Sequence, residues 1–310
     1  MPVLAQESRT VPGHYYVTNG MLLSLPLRLL LALSRLVTDT LHFVCSEANR
    51  RMFPIRDENP QLMIPFVTYA LIGINVLAWV FVQGLGSDPT LLRSICQFGL
   101  IPADVLGTFD PSQLDRRPVC PVDGDGSVAT VLTSMFMHGG WMHIIGNMWF
   151  LWIFGDNVED AMGRVRFAIF YVLCGFAAAA AQALADPSSA VPMVGASGAI
   201  GGVMGAYIVL YPRVHVHMLV LFGFYATTFA VPAMLMLGYW MLVQLIGGYN
   251  SMGATGGGVA FWAHVGGFVA GAVLVLLFKD RKLLDSHPYH GWRQRKHASR
   301  AWHSIDRRRR

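Results

Sequence analysis

A chain of 310 residues that is 54% hydrophobic and only 13% charged is not an ordinary soluble domain, and with its positive mean hydropathy it reads as a multi-spanning membrane protein. The net charge of +5 is unevenly placed: Lys279 to Arg310 holds eleven basic and three acidic residues, so the rest sums to −3. Such a tail suits a cytoplasmic membrane face with anionic lipid, and four terminal arginines are too few to argue for nucleic acid.

From the N-terminus, Met21 to Val37 is apolar but broken by Pro26, Arg28 and Arg35. That pattern fits an amphipathic surface helix or a poor signal sequence better than a span. Met52 stands just before the first clean apolar run and reads as an alternative initiator, which would make residues 1–51 an over-extended start. Residues 1–61 are expected to form an N-terminal cytoplasmic extension, 62–278 the membrane domain and 279–310 a basic cytoplasmic tail.

Six spans are expected: about Leu62 to Leu85, Trp141 to Met162, Val165 to Ala185, Ser197 to Tyr211, Thr227 to Gly248 and Val259 to Phe278. A long polar loop, 86–140, follows the first and carries six Asp and three Arg. Arg50, Arg51, Arg56, Arg164, Arg166, Arg213 and the tail all fall on the opposite side, so both termini are expected in the cytoplasm. The four cysteines form no Cys-x-x-Cys pair, which argues against a zinc or redox motif. Cys96 and Cys120 share the outer loop, where a disulfide and two free thiols are both open. His215 and His217, in the loop after the fourth span, and the tail histidines are expected to be solvated.

The fourth span is the unusual one. Its apolar run of about 15 residues is short of the roughly 20 that a bilayer requires, so Ser197 and the non-helical Gly195-Ala196 before it should lie below the surface. Irregular backbone at that depth must be buried in protein or line a wet cavity. Ser197 is then either a helix cap in a small-residue packing stripe or a nucleophile in a water-filled pocket. Spans two, four and six enter from the same side, which puts His143, Asn147, Ser197 and His264 at one depth. The stripes Ser197, Gly201, Gly205 and Ala263, Gly267, Gly271 would let the two helices approach closely enough for His264 to reach the serine hydroxyl. A serine needs a base to take its proton, and histidine is the usual one. His143 and Asn147, at i and i+4, present donors for an oxyanion, with the Ser197 amide as a third. No acidic residue sits in an outer half-span to orient His264, so the expected unit is a Ser–His dyad.

Four motifs in order resemble the rhomboid family of intramembrane serine proteases: His138-x4-His143-x3-Asn147, Gly155-x3-Glu159-x3-Gly163, Gly195-x-Ser197-Gly198 and Ala263-His264-x2-Gly267. The resemblance covers about residues 62–278. It implies an all-α polytopic bundle of six transmembrane helices around a short central helix bearing the serine. It implies a Ser197–His264 dyad, an oxyanion site at His143 and Asn147, and His138, Gly195, Gly198 and Gly267 as structural residues near the site. The implied reaction is cleavage of a substrate helix near the outer membrane face of a bacterial plasma membrane, with no metal and no cofactor. The partners are substrate helices and lipid, not nucleic acid, and the alternative is an inactive relative that binds client helices. Two departures stand out. Val128-Ala129-Thr130 replaces a Trp-Arg pair of the first outer loop, and Gly201 replaces an aromatic that packs on the histidine in some members. Tyr249 to Gly258, with four glycines in ten residues, is expected to be a mobile cap over the site.

Overall fold

The computed structural model describes residues 52–109, 120–122, 126–222, 225–251 and 258–290. The expectations for residues 1–51, for most of the glycine-rich segment (252–257) and for the end of the tail (291–310) therefore lie outside the described residues. The chain divides into two compact units, and the helices and the candidate site below lie in the larger, Pro54–Leu219 with Ala226–Arg310.

In chain order, strand β1 (Met52–Asp57) precedes helix α1 (Phe66–Leu77), which one π-helical stretch, Ala78–Val82, prolongs. Short helices α2 (Thr90–Phe98), α3 (Pro102–Leu106) and α4 (Thr130–Thr133) follow, then the long pair α5 (Trp141–Met162) and α6 (Arg164–Ala185) and the helix α7 (Ser197–Leu210). A hairpin, β2 (His215–Phe222) and β3 (Tyr225–Pro232), leads to α8 (Ala233–Ser251), α9 (Phe261–Phe278) and α10 (Arg281–Ser286). The strands lie in the order β1-β2-β3. Each expected span overlaps a helix, the fifth only from Ala233 on. By length and composition α6 and α9 suffice to cross a membrane, and Phe66–Val82 and Ser197–Leu210 are apolar but shorter.

The core sits around α7. Gly198 to Tyr207 are buried without exception, as befits a helix that is apolar on every side. Its neighbours come unusually close because the contacts are glycine on carbonyl. A Cβ on Gly267 would overlap the Gly198 carbonyl, one on Gly271 the Gly202 carbonyl, and one on Gly205 the Phe268 carbonyl. The stripe expected between α7 and α9 is thus a true contact. A second small face, Gly198 and Gly202, lies against Ala178 and Cys174 of α6.

The first helix begins at Phe66 rather than Leu62, and the acidic end of α5 explains why. Asp160 accepts the Leu62 and Met63 amides at 2.6 and 3.0 Å. Glu159 accepts the Val67 and Thr68 amides at 3.0 and 2.8 Å and the Thr68 hydroxyl at 2.8 Å. Glu159 thus satisfies amides that the helix start leaves without partners, where Pro65 offers no capping side chain, and Asp160 holds the chain just before the helix. Gly155 makes room: a Cβ there would press to 2.9 Å on Thr68.

The helix expected from Thr227 begins only at Ala233, because Tyr225–Pro232 is a strand. Thr227, Thr228 and Val231 are β-branched, and Pro232 cannot donate within a helix. Of the histidines expected to be solvated, His215 is exposed, and with the partly buried His217 it brackets the Glu58 carboxylate at 3.3 and 2.9 Å, whereas His287 is buried with its ring 5.1 Å from that of Tyr211. Near β1, the Trp149 indole donates to the Pro54 carbonyl at 2.6 Å, and Tyr207 and Asn157 donate to Asp57. Burial pushes the Asp57 carboxyl up to about 6 against that hydrogen bonding.

Among the described residues, the segment expected as a polar loop, 86–140, contains the short α-helices α2, α3 and α4, a 3-10 turn at Ser134–Phe136 and a disulfide, Cys96–Cys120. Leu100 pairs with Met193 through two backbone bonds of 3.0 and 2.7 Å, and the Thr133 hydroxyl donates to the Phe98 carbonyl at 2.8 Å. The first of these contacts ties the segment to the chain that leads to Ser197.

Candidate active site

The chain approaches the site along the Met193 pairing and is then pinned by the Gly195 amide, which donates to the Ser134 carbonyl at 2.9 Å. Gly195 has φ +126, a conformation that side chains rarely adopt. The helix starts directly afterwards, with Ala196 at the N-cap and no capping side chain. A helix start leaves its first amides without intrahelical acceptors, so Ser197 is presented beside backbone donors.

The Ser197 Oγ lies 2.8 Å from the His264 Nε2, and the His264 Nδ1 lies 2.7 Å from the Gln244 Oε1. Three residues on α7, α9 and α8 thus form one hydrogen-bonded row. Gln244 is only 6% exposed, and its Nε2 donates to the Trp240 carbonyl at 3.3 Å. The Trp240 ring lies 5.7 Å from the imidazole and stacks at 6.0 Å on Phe268.

Neither Gln244 nor Trp240 was singled out by sequence reasoning, which looked for an acidic partner and for an aromatic one turn after the serine. Gly201 stands at the aromatic's place because α9 is too close: a Cβ there would sit 3.1 Å from the His264 carbonyl. The aromatic comes instead from α8. The available signal was a glutamine inside an apolar run with a tryptophan four residues before it, on one helix face.

His143 and Asn147 meet the same backbone from the other side. A Cβ on Gly195 would fall 2.6 Å from the His143 Nε2 and 3.5 Å from the Asn147 Nδ2. The His143 Nδ1 accepts the Gly139 amide at 3.2 Å, which leaves the proton of the neutral ring on Nε2, facing the site as a donor. The Asn147 Nδ2 is buried and has no hydrogen-bond acceptor among the described residues. An unpaired buried donor is costly, and an arriving oxyanion would supply its acceptor.

His138 is fully buried and packs edge-on against His143, ring centres 5.2 Å apart. Its backbone, not its ring, carries the junction. The His138 amide donates to the Gln83 Oε1 and its carbonyl accepts from the Gln83 Nε2, both at 2.8 Å. Gln83 was also missed. Gly198 and Gly267 lie in the carbonyl contact described above, one residue from Ser197 and three from His264. Beside Ser197 is a cavity of about 20 Å³ lined by Met135, Gly175, Ala178, Val194 and Gly198.

Comparison with known proteins gives a consistent result. A family profile described as the Rhomboid domain matches residues 125–281. RHOMBOID-like protein 1 of Arabidopsis thaliana is 26% identical over 231 residues, 71% of this chain and 55% of its own. Rhomboid-like protease 5 of Toxoplasma gondii is 32% identical over 168 residues, 53% of this chain and 17% of its own. Inactive rhomboid protein 1 of Drosophila melanogaster is 33% identical over 98 residues, 32% of this chain and 7% of its own. The chain therefore spans about half, or less, of the length of these curated relatives.

Proposed function

This chain belongs to the rhomboid family and is a helical membrane protein, and from that premise we propose that it is an intramembrane serine endopeptidase. It cuts transmembrane segments of other membrane proteins near the outer membrane face, within a bundle of six spanning helices whose two ends lie in the cytoplasm. The observation that carries this reading is the 2.8 Å contact between Ser197 and His264.

In the proposed reaction the Ser197 Oγ attacks the scissile carbonyl while its proton passes to the His264 Nε2. The oxyanion is held by the Asn147 Nδ2, the His143 Nε2–H and the Ser197 amide. His264 then gives its proton to the leaving amine, which leaves an acyl-enzyme on Ser197. A water enters, loses a proton to His264 and attacks the ester; the oxyanion collapses, Ser197 regains a proton and the carboxylate product departs. The small cavity beside Ser197 suits a small side chain next to the cut. No step requires a metal or cofactor.

The test uses the full chain in detergent micelles with a generic transmembrane peptide. Cleavage at one bond, with labelling of wild type by a fluorophosphonate at Ser197, is expected. Tight binding of the peptide without cleavage or labelling would favour a non-catalytic, client-binding role; the Drosophila relative is named inactive.

Asn147→Ala should lower kcat by about 10²–10³ and leave KM nearly unchanged, because a donor to the oxyanion acts mainly in the transition state. His143→Ala should lower kcat in the same direction. Wild-type turnover in both variants would remove them from the oxyanion site and leave backbone donors alone.

A further inference from the structure

We infer that Gln244 is a positioning residue for His264, fixing the imidazole tautomer that can accept the serine proton. The inference rests on the Ser197–His264 reading and deepens it.

A neutral imidazole carries one proton, on either nitrogen. Only the Nδ1–H tautomer leaves a lone pair on Nε2, the atom facing Ser197 at 2.8 Å. Gln244 selects between them. Its Nε2 meets the Trp240 carbonyl, which can only accept, so the amide oxygen must turn the other way, toward the His264 Nδ1 at 2.7 Å. That oxygen can only accept, so the proton belongs on Nδ1. Were the amide reversed, two carbonyl oxygens would face each other and the NH₂ would fix the opposite tautomer, with Nε2–H pointing at the serine and no base available.

The device is self-contained. Trp240 lies one turn before Gln244 on α8, so its carbonyl sets the amide and its ring covers the imidazole face. The glutamine is buried, so water does not compete for either end. During proton transfer the amide stays neutral: the serine proton moves to Nε2, Nδ1–H remains bonded to Gln244, and the proton later leaves from Nε2. Gln244 thus takes the orienting place that an acidic residue holds in a serine triad, without adding charge.

Two substitutions separate this role from packing. Gln244→Met keeps length and volume but removes the acceptor; Gln244→Glu keeps an acceptor. In the full chain in micelles, Gln244→Met should lower kcat about tenfold, the effect of one neutral hydrogen bond, with KM within about twofold of wild type. Gln244→Glu should restore most of the loss. ¹⁵N spectra of histidine-labelled Ser197→Ala protein, with the His264 signal assigned by its loss in His264→Gln, should show one Nδ1–H tautomer. The Gln244→Met change should turn it into a mixture. Unchanged kcat in Gln244→Met, equal losses in Met and Glu, or an unaltered tautomer would each overturn the inference. Persistent cleavage by Ser197→Ala would instead overturn the dyad on which it rests. Inactivity of Ser197→Ala beside full activity of Gln244→Met would sink the positioning role alone.

Discussion

Ser197→Ala takes cleavage of a transmembrane substrate to background, and adding His264→Ala to it costs nothing further. The reason is that the two residues act as one unit. A serine hydroxyl attacks only as its proton leaves, and the His264 Nε2 at 2.8 Å is the acceptor. Without the base the nucleophile is not activated, and without the nucleophile the base has nothing to activate. In such units the loss of either member can cost on the order of 10⁶ in kcat, and the loss of both costs no more. Additive losses in the double variant would mean that the two side chains contribute separately, and the shared proton would be wrong. Both variants should insert and unfold like wild type, since neither side chain fills the glycine contacts around α7. Substrate binding should survive as well, so a binding assay on Ser197→Ala separates recognition from cleavage.

Much of the site could be read from the sequence because it rests on one-dimensional features. The i, i+4, i+8 small residues on two runs announced the approach of α7 and α9, and with it the meeting of Ser197 and His264. What could not be read depends on pairings between distant segments. Gln244 lies 20 residues before His264 and matters only once α8 docks, and its amide was overlooked while a carboxylate was sought. Glu159 and Asp160 lie at the end of the second span, and the amides they hold at Leu62, Met63, Val67 and Thr68 lie more than 90 residues away. The hairpin was lost because Tyr225–Pro232 is apolar enough to pass for the start of a helix, and hydropathy does not weigh β-branching. The first outer segment looked like a loop because its order comes from the Cys96–Cys120 bond and the Leu100–Met193 pairing, neither of which has a local signature.

Gly267→Ala should damage both the fold and the site. Its Cβ would overlap the Gly198 carbonyl, and that atom is backbone, so no side chain can rotate away. The helices must part instead. Overpacking of this kind typically costs about 1–3 kcal/mol, which should appear as a lower unfolding temperature in micelles. The larger effect is on catalysis. Gly198 follows Ser197 and Gly267 lies one turn after His264, so separation at this contact lengthens the serine–histidine hydrogen bond directly. A misplacement of about 1 Å can cost on the order of 10² in rate, so kcat and fluorophosphonate labelling should fall together by about that factor. Gly238→Ala is the control: it lies on α8, where a Cβ would meet nothing within 4 Å, and both readouts should stay at wild type. The comparison separates the contact from helix propensity, because alanine is the better helix former at both positions. If Gly267→Ala loses stability but keeps its turnover, α7 and α9 can separate without disturbing the dyad, and the close packing serves the fold alone.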